Sequence, residues 1–256
     1  MVAGLVMLPH TQAPFTVPAP TGPNTALSTP AKKAAAVALV ATAENSTTTP
    51  QYSYIEDIGD GRGYTAGIVG FCSGTGDLIM VVERYTKSTP DNALAKYIPA
   101  LRTVNGTDSH AGLGPAFVAD WKAAANDPAF RAAQDAERDR VYFKPAVSRA
   151  QADGLAALGQ FAYFDAAVVH GEEGLADIRR QAQKHAKTPA QGGNEVAYLR
   201  AFFDARIVAM RREAAHRDVS RINDIQIKFL KDGNLYLTGP LDWSVYGEDF
   251  SFSKPS

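Results

Sequence analysis

The chain has 256 residues, of which 45 % are hydrophobic and 21 % charged, with a formal net charge of −1 and a pI near 6.5. That length suffices to bury a sizeable core, while the near-neutral balance without a basic run argues against nucleic acid as a partner and no run of about 20 apolar residues exists to cross a membrane. A single cysteine, Cys72, excludes an internal disulfide, and the five histidines show neither HExxH nor another metal spacing, so no metal and no cofactor is expected.

Residues 1–30 open with Val2-Ala3-Gly4-Leu5-Val6-Met7-Leu8 and continue as a Pro- and Thr-rich stretch. No basic residues precede the apolar ones, so this is read as a linker or signal remnant, and residues 31–256 as the working domain. The run Ala34 to Ala43 is apolar on nearly every face and predicts a buried helix ending at Glu44. A carboxyl there is expected to be partly desolvated and close to the negative end of the helix, which favours its protonated form.

From Glu44 to Asp77 the chain carries Glu44, Glu56, Asp57, Asp60 and Asp77 against one cation, Arg62. Acidity concentrated in this way suits a cationic substrate. Asp60 lies in Gly59-Asp60-Gly61-Arg62-Gly63, a turn that keeps it near water and beside Arg62, so it is expected to stay ionised. Two carboxyls in opposed environments suit general acid and general base chemistry. Gly61-Arg62-Gly63-Tyr64-Thr65-Ala66 also fits a dinucleotide fingerprint, but Gly67-Ile68-Val69-Gly70-Phe71 after it reads as the return strand of a hairpin over about 51–71, not as a phosphate-binding helix. Cys72 reads as a small buried filler.

Beyond the hairpin the pattern is helical. Thr75 or Ser73 is expected to cap a helix carrying Leu78, Ile79, Val81 and Val82, and Asp127 to cap another with Pro128 in its first turn. A helix from Pro145 to about His170 is expected to bend at Gly154 or Gly159. Within its apolar second half Asp165 requires a partner, for which Arg206 and Arg221 are the candidates. Another helix spans about 195–215, and Asp232-Gly233-Asn234 marks a turn. Trp121 and Trp243 are assigned to core packing.

The strings Ala43-Glu44-Asn45-Ser46, Tyr54 to Thr65 and Gly70 to Asp77 resemble the signature of the family 46 glycoside hydrolases, the secreted bacterial chitosanases. The resemblance runs from about Ala31 to the end, through Glu137 to Phe143, Ala157 to Tyr163 and Thr188 to Gly193. It implies a mainly helical, two-lobed, lysozyme-like fold with a small antiparallel β-hairpin or three-stranded sheet beside a cleft. It implies an endo-acting, inverting hydrolase of β-1,4 bonds in chitosan, with Glu44 as general acid, Asp60 as general base and Thr65 helping to hold the attacking water. Asn45, Arg62, Asp77 and His170 match residues that contact sugar, Asp77 by reading a glucosamine amine. Asp165, Arg206 and Arg221 match an ion network behind the site, with Glu213 as a further member. An inverting pair leaves room for water, so the two carboxyls are expected beyond about 9 Å apart in an open cleft. A secreted, extracellular monomer is expected, with chitosan and glucosamine oligosaccharides as partners. Two segments depart from the family pattern: Ser46 to Gln51 is short and lacks a tryptophan, and His170 to Gly174 is abbreviated. A hydrolase of chitin or peptidoglycan, a carbohydrate-binding protein without catalysis and a nucleotide-binding enzyme remain as alternatives.

Overall fold

A computed structural model describes residues 26–212 and 218–253. Residues 1–25 and Glu213 lie outside the described residues. Helix α1 (Pro30–Asn45) begins with Pro30, whose fixed φ suits a first turn, and stops at Ser46 in a left-handed conformation (φ 50°). Its Ala, Val and Leu side chains are buried on nearly every face. Packing begins ahead of it, because Leu27 is fully buried and its N–H donates to Gln160 Oε1 at 2.8 Å.

The chain then forms an antiparallel sheet of β1 (Ile55–Asp57), β2 (Tyr64–Ala66) and β3 (Phe71–Cys72), in that spatial order. Glu56 stands opposite Thr65, and Thr65 opposite Cys72. This sheet shares a hydrophobic core with α2 (Asp77–Ser88), α3 (Ile98–Val104), α4 (Pro115–Ala124) and α5 (Pro128–Arg138), built on Phe71, Leu78, Val82, Leu101, Phe117, Trp121 and Phe130. A second core joins α1 to α6 (Lys144–Ala152), α7 (Ala157–Gln183), α8 (Glu195–Arg212) and α9 (Lys228–Lys231) through Leu39, Phe143, Phe161, Phe164 and Phe202. The two cores are the two lobes of a mainly helical α+β fold. Between them, α5 runs through the π-helical turn Asp139–Phe143 into α6, while Tyr142 and Val168 pack against both cores.

Both tryptophans are interior. Trp121 meets Phe130 edge-on at 4.9 Å, and the Trp243 indole N–H donates to Thr42 Oγ1 at 3.1 Å. Asp127 accepts from the Ala129 N–H at the start of α5, the cap read from sequence. Helix α2 differs: its N-cap is Gly76, with no side-chain cap, because Thr75 donates to Asp77 Oδ1 and Ser73 accepts from the Tyr64 N–H. The expected helix from Pro145 to His170 is divided at Gly154 (φ 78°), and its second part continues past a kink at Gly171 (φ 68°). Gly159 does not bend it. There the bare Cα admits Leu155, whose Cβ would lie 2.7 Å from a Cβ added at Gly159.

A second antiparallel pair, β4 (Leu241–Val245) and β5 (Glu248–Phe252), was not read from the sequence. Leu241, Trp243 and Val245 alternate inward as a half-buried strand requires. The turn between the strands, Tyr246-Gly247, lacks the Asn-Gly or Asp-Gly signal that marks a hairpin.

Candidate active site

Glu44 stands one residue before the end of α1, its side chain 30 % exposed. The side chain is thus partly covered, as expected, but beside it stands a cation that the sequence reading did not place there. Arg221 Nη1 donates to Glu44 Oε1 at 2.8 Å, and the same guanidinium reaches Asp165 Oδ1 through Nη2 at 2.6 Å and Oδ2 through Nε at 3.3 Å. Arg206 Nη1 lies 2.6 Å from Asp165 Oδ2, which also accepts from Gln226 Nε2 at 2.7 Å. Asp165, Arg206, Arg221 and Gln226 are all buried.

Burial by itself pushes the Asp165 carboxyl up, but the charges of Arg206 and Arg221 outweigh it and hold the group below the ordinary carboxylate range. The two arginines diverge. Burial, helped by the like charge of Arg221, lowers Arg206 despite Asp165, whereas Asp165 and Glu44 together outweigh the burial penalty at Arg221 and raise it.

Asp60 belongs to the other lobe, in the turn between β1 and β2. Gly59, Gly61 and Gly63 all have φ between 70° and 81°, a conformation costly for any residue with a Cβ. At Gly63 a Cβ would also lie 2.3 Å from Ser73 Oγ. Asp57 Oδ1 accepts the Gly59 N–H at 2.8 Å, and Asp60 Oδ1 accepts the Arg62 N–H at 3.1 Å. Asp60 Oδ2 takes Arg62 Nε at 2.8 Å and Nη2 at 2.5 Å. The Arg62 hydrogen bonds hold the Asp60 carboxyl below its ordinary value.

Thr65 follows in β2, buried, with Oγ1 3.5 Å from Cys72 Sγ on β3. Burial pushes the Cys72 thiol up, which suits a filler and not a nucleophile. Asp77 opens α2. Its Oδ1 accepts from the Cys72 N–H (2.7 Å), Thr75 Oγ1 (2.8 Å) and the Leu78 N–H (3.0 Å), while Tyr142 Oη stands 3.5 Å from Oδ2. Burial raises the Asp77 carboxyl, and these donors only partly oppose it. Among the described residues Oδ2 carries only the long Tyr142 contact.

Asn45 is half-buried as the last residue of α1. His170, just before the kink at Gly171, lines a cavity of about 870 Å³ between α7 and α8, with Asp177, Arg200, Asp204 and Arg212 on its walls. Neither Glu44 nor Asp60 lines that cavity.

One lobe thus supplies an ion-paired carboxyl at a helix end, and the other a carboxylate on a glycine turn. Residues 38–241 match the model of glycosyl hydrolase family 46. The chain belongs to that family. Family 46 relatives include the chitosanase of Streptomyces sp. (strain N174), 56 % identical over 94 % of this chain and 87 % of its own length, and that of Nocardioides sp. (strain N106), 51 % identical over 99 % and 96 %. Among solved structures, chitosanase OU01 co-crystallised with substrate superposes with a TM-score of 0.85 at 55 % identity, covering 90 % of this chain and 99 % of that one. A Gynuella sunshinyii family 46 chitosanase in complex with chitotetraose gives 0.82 at 31 % identity, covering 89 % and 99 %. Among the described residues no helix is long and apolar enough to cross a membrane.

Two participants in this family 46 site escaped the sequence reading. Gln226, inside the π-helical turn Arg221–Ile227, completes the coordination of Asp165. The signal was present, since a lone amide between Ile225 and Ile227 is out of place on an apolar face. Tyr142 approaches Asp77 from 65 residues away, and nothing local announces it.

Proposed function

We infer that this family 46 protein is a chitosanase, hydrolysing internal β-1,4 bonds of chitosan by a single displacement with inversion. The observation that carries the reading is 51–56 % identity to two chitosanases along nearly the whole chain. The acidic residues Glu56, Asp57 and Asp60 on β1 and its turn, with Asp77 at the start of α2, support it, because protonated chitosan is a dense polycation that such acidity attracts.

In this mechanism Glu44 gives its proton, from Oε2, to the departing glycosidic oxygen. Arg221, on Oε1, stabilises the carboxylate that remains. Asp60 removes a proton from water attacking C1 on the opposite face of the sugar, and Thr65 Oγ1 orients that water. Arg62 keeps Asp60 ionised in mildly acidic solution, where the substrate amines are charged. Asp77 Oδ2 receives one glucosamine ammonium, whose arrival offsets the burial that disfavours the free carboxylate. Asn45, Arg62 and His170 are assigned to further sugar contacts, and the protein to the extracellular space as a monomer.

Proton NMR of new reducing ends tests the reading. Initial α-anomer from highly deacetylated chitosan, and none from chitin, is the expected result; initial β-anomer would overturn inversion and make one carboxyl a nucleophile. Glu44→Gln and Asp60→Asn should each lower turnover at least ~10²-fold with oligosaccharide binding retained.

A further inference from the structure

The β4–β5 hairpin is pinned to both elements that hold the Glu44–Arg221 ion pair. Trp243 of β4 donates to Thr42, two residues before Glu44 on α1, and stacks on Phe250 of β5 at 6.0 Å. Strand β4 also packs on the π-helical turn that begins with Arg221, and β5 on α1.

The tip of this hairpin is Tyr246-Gly247, with φ of 52° and 82°. Two successive positive φ values are those of a type I′ turn, in which Asn and Gly are favoured and a bulky side chain is strained. Tyr246 nevertheless occupies the first position, and it is 42 % exposed. The turn alone gives no reason for an aromatic residue there. Trp243 anchors the strand to Thr42, and Tyr246 follows three residues on, about 10 Å further along the chain. The phenol lies within the fields of Glu44 and Arg221, and partial burial raises it, so its O–H stays a donor.

We propose that Tyr246 is a sugar-binding residue beside Glu44, its ring covering the apolar C–H face of the glucosamine unit at that carboxyl and its hydroxyl donating to the same sugar. The assignment rests on Glu44 as the general acid. It gives the hairpin a purpose beyond closing the lobe: the wall of the site next to the acid is built from the C-terminal strands.

Calorimetric binding of a glucosamine hexamer to the Glu44→Gln protein, with and without Tyr246→Asn or Tyr246→Phe, provides the test. Tyr246→Asn removes the ring and relaxes the turn, so affinity should fall about tenfold while Tm holds or rises. Tyr246→Phe keeps the ring and should lose about two- to threefold. A role confined to the turn predicts the opposite, with Asn binding as well as Tyr, and an affinity within twofold for Tyr246→Asn overturns the proposal. Hexamer cleavage followed in parallel separates the two failures. A Glu44→Gln protein that still cleaves refutes the acid, whereas an inactive one whose affinity ignores Tyr246 refutes this proposal alone.

Discussion

The two lobes hold their carboxyls by different physical means. Glu44 ends a buried helix and is backed by Arg221, Asp165, Arg206 and Gln226, a network almost wholly removed from water. Asp60 rides on a glycine turn and is held by one exposed arginine two residues away. Behind Glu44, position is coupled to folding, because each buried charge needs the others. At Asp60 the partner sets charge more than it sets structure, since exposed ion pairs add little stability.

Breaking the buried side should therefore have the largest effect on the fold. Asp165→Ala leaves two guanidinium groups without their shared carboxylate, and removal of one partner of a buried pair costs ~3–5 kcal/mol. For a chain of this size that is a fall in Tm on the order of 10 °C by calorimetry. A fall of under about 3 °C would show that the network is not what ties α7, α8 and the Arg221 turn together.

A second buried carboxyl sharpens the contrast. Glu195, at the start of α8, is 8 % exposed and accepts the Ala156 N–H at 2.7 Å, and burial raises it to about 7. Asp165 has two cations and is lowered; Glu195 has a backbone donor and is raised. A carboxyl bound more tightly to its proton in the folded state gives stability that is fully present below about pH 4.5, its unfolded value, and lost as pH rises through about 7. Glu195→Gln should remove that dependence, so that denaturant unfolding at pH 8 shows the variant more stable by ~3 kcal/mol, with little difference at pH 4. Equal gains at both values would assign the change to packing instead.

The exposed side should give the smallest structural effect and a shift in pH response. Arg62→Ala should alter stability by no more than ~0.5 kcal/mol. It removes the hydrogen bonds that lower Asp60, so the acid limb of the rate profile on a glucosamine oligomer should move to higher pH. An unmoved acid limb would mean that another group sets it.

The local features of this site were legible because they are written in consecutive residues. An unbroken apolar run ending in Glu44 predicts a buried helix with a carboxyl at its end, and glycines alternating with Asp60 and Arg62 predict a polar turn between two strands. Asp165 in an apolar helix signals by itself that it needs cations, since a lone buried carboxylate is too costly. The β4–β5 hairpin was less legible, because Tyr246-Gly247 carries a weak turn signal in a position that favours Asn. The pairing of Glu44 with Arg221 was not legible at all, since the two lie 177 positions apart.

What the sequence by itself determined is thus the set of local choices: the helices, the glycine turn, the acidic cluster, the family resemblance and the demand of Asp165 for partners. Only the tertiary structure decided that Arg221 would face Glu44 and Asp165 at once, that Gln226 and Tyr142 would join the site, and that Tyr246 would stand at the tip of a hairpin anchored to α1. These contacts join residues 56 to 201 positions apart, from Arg221 with Asp165 to Trp243 with Thr42. Helical and strand periodicities act over a few residues, whereas such pairings form only when the two cores close and bring distant side chains into contact.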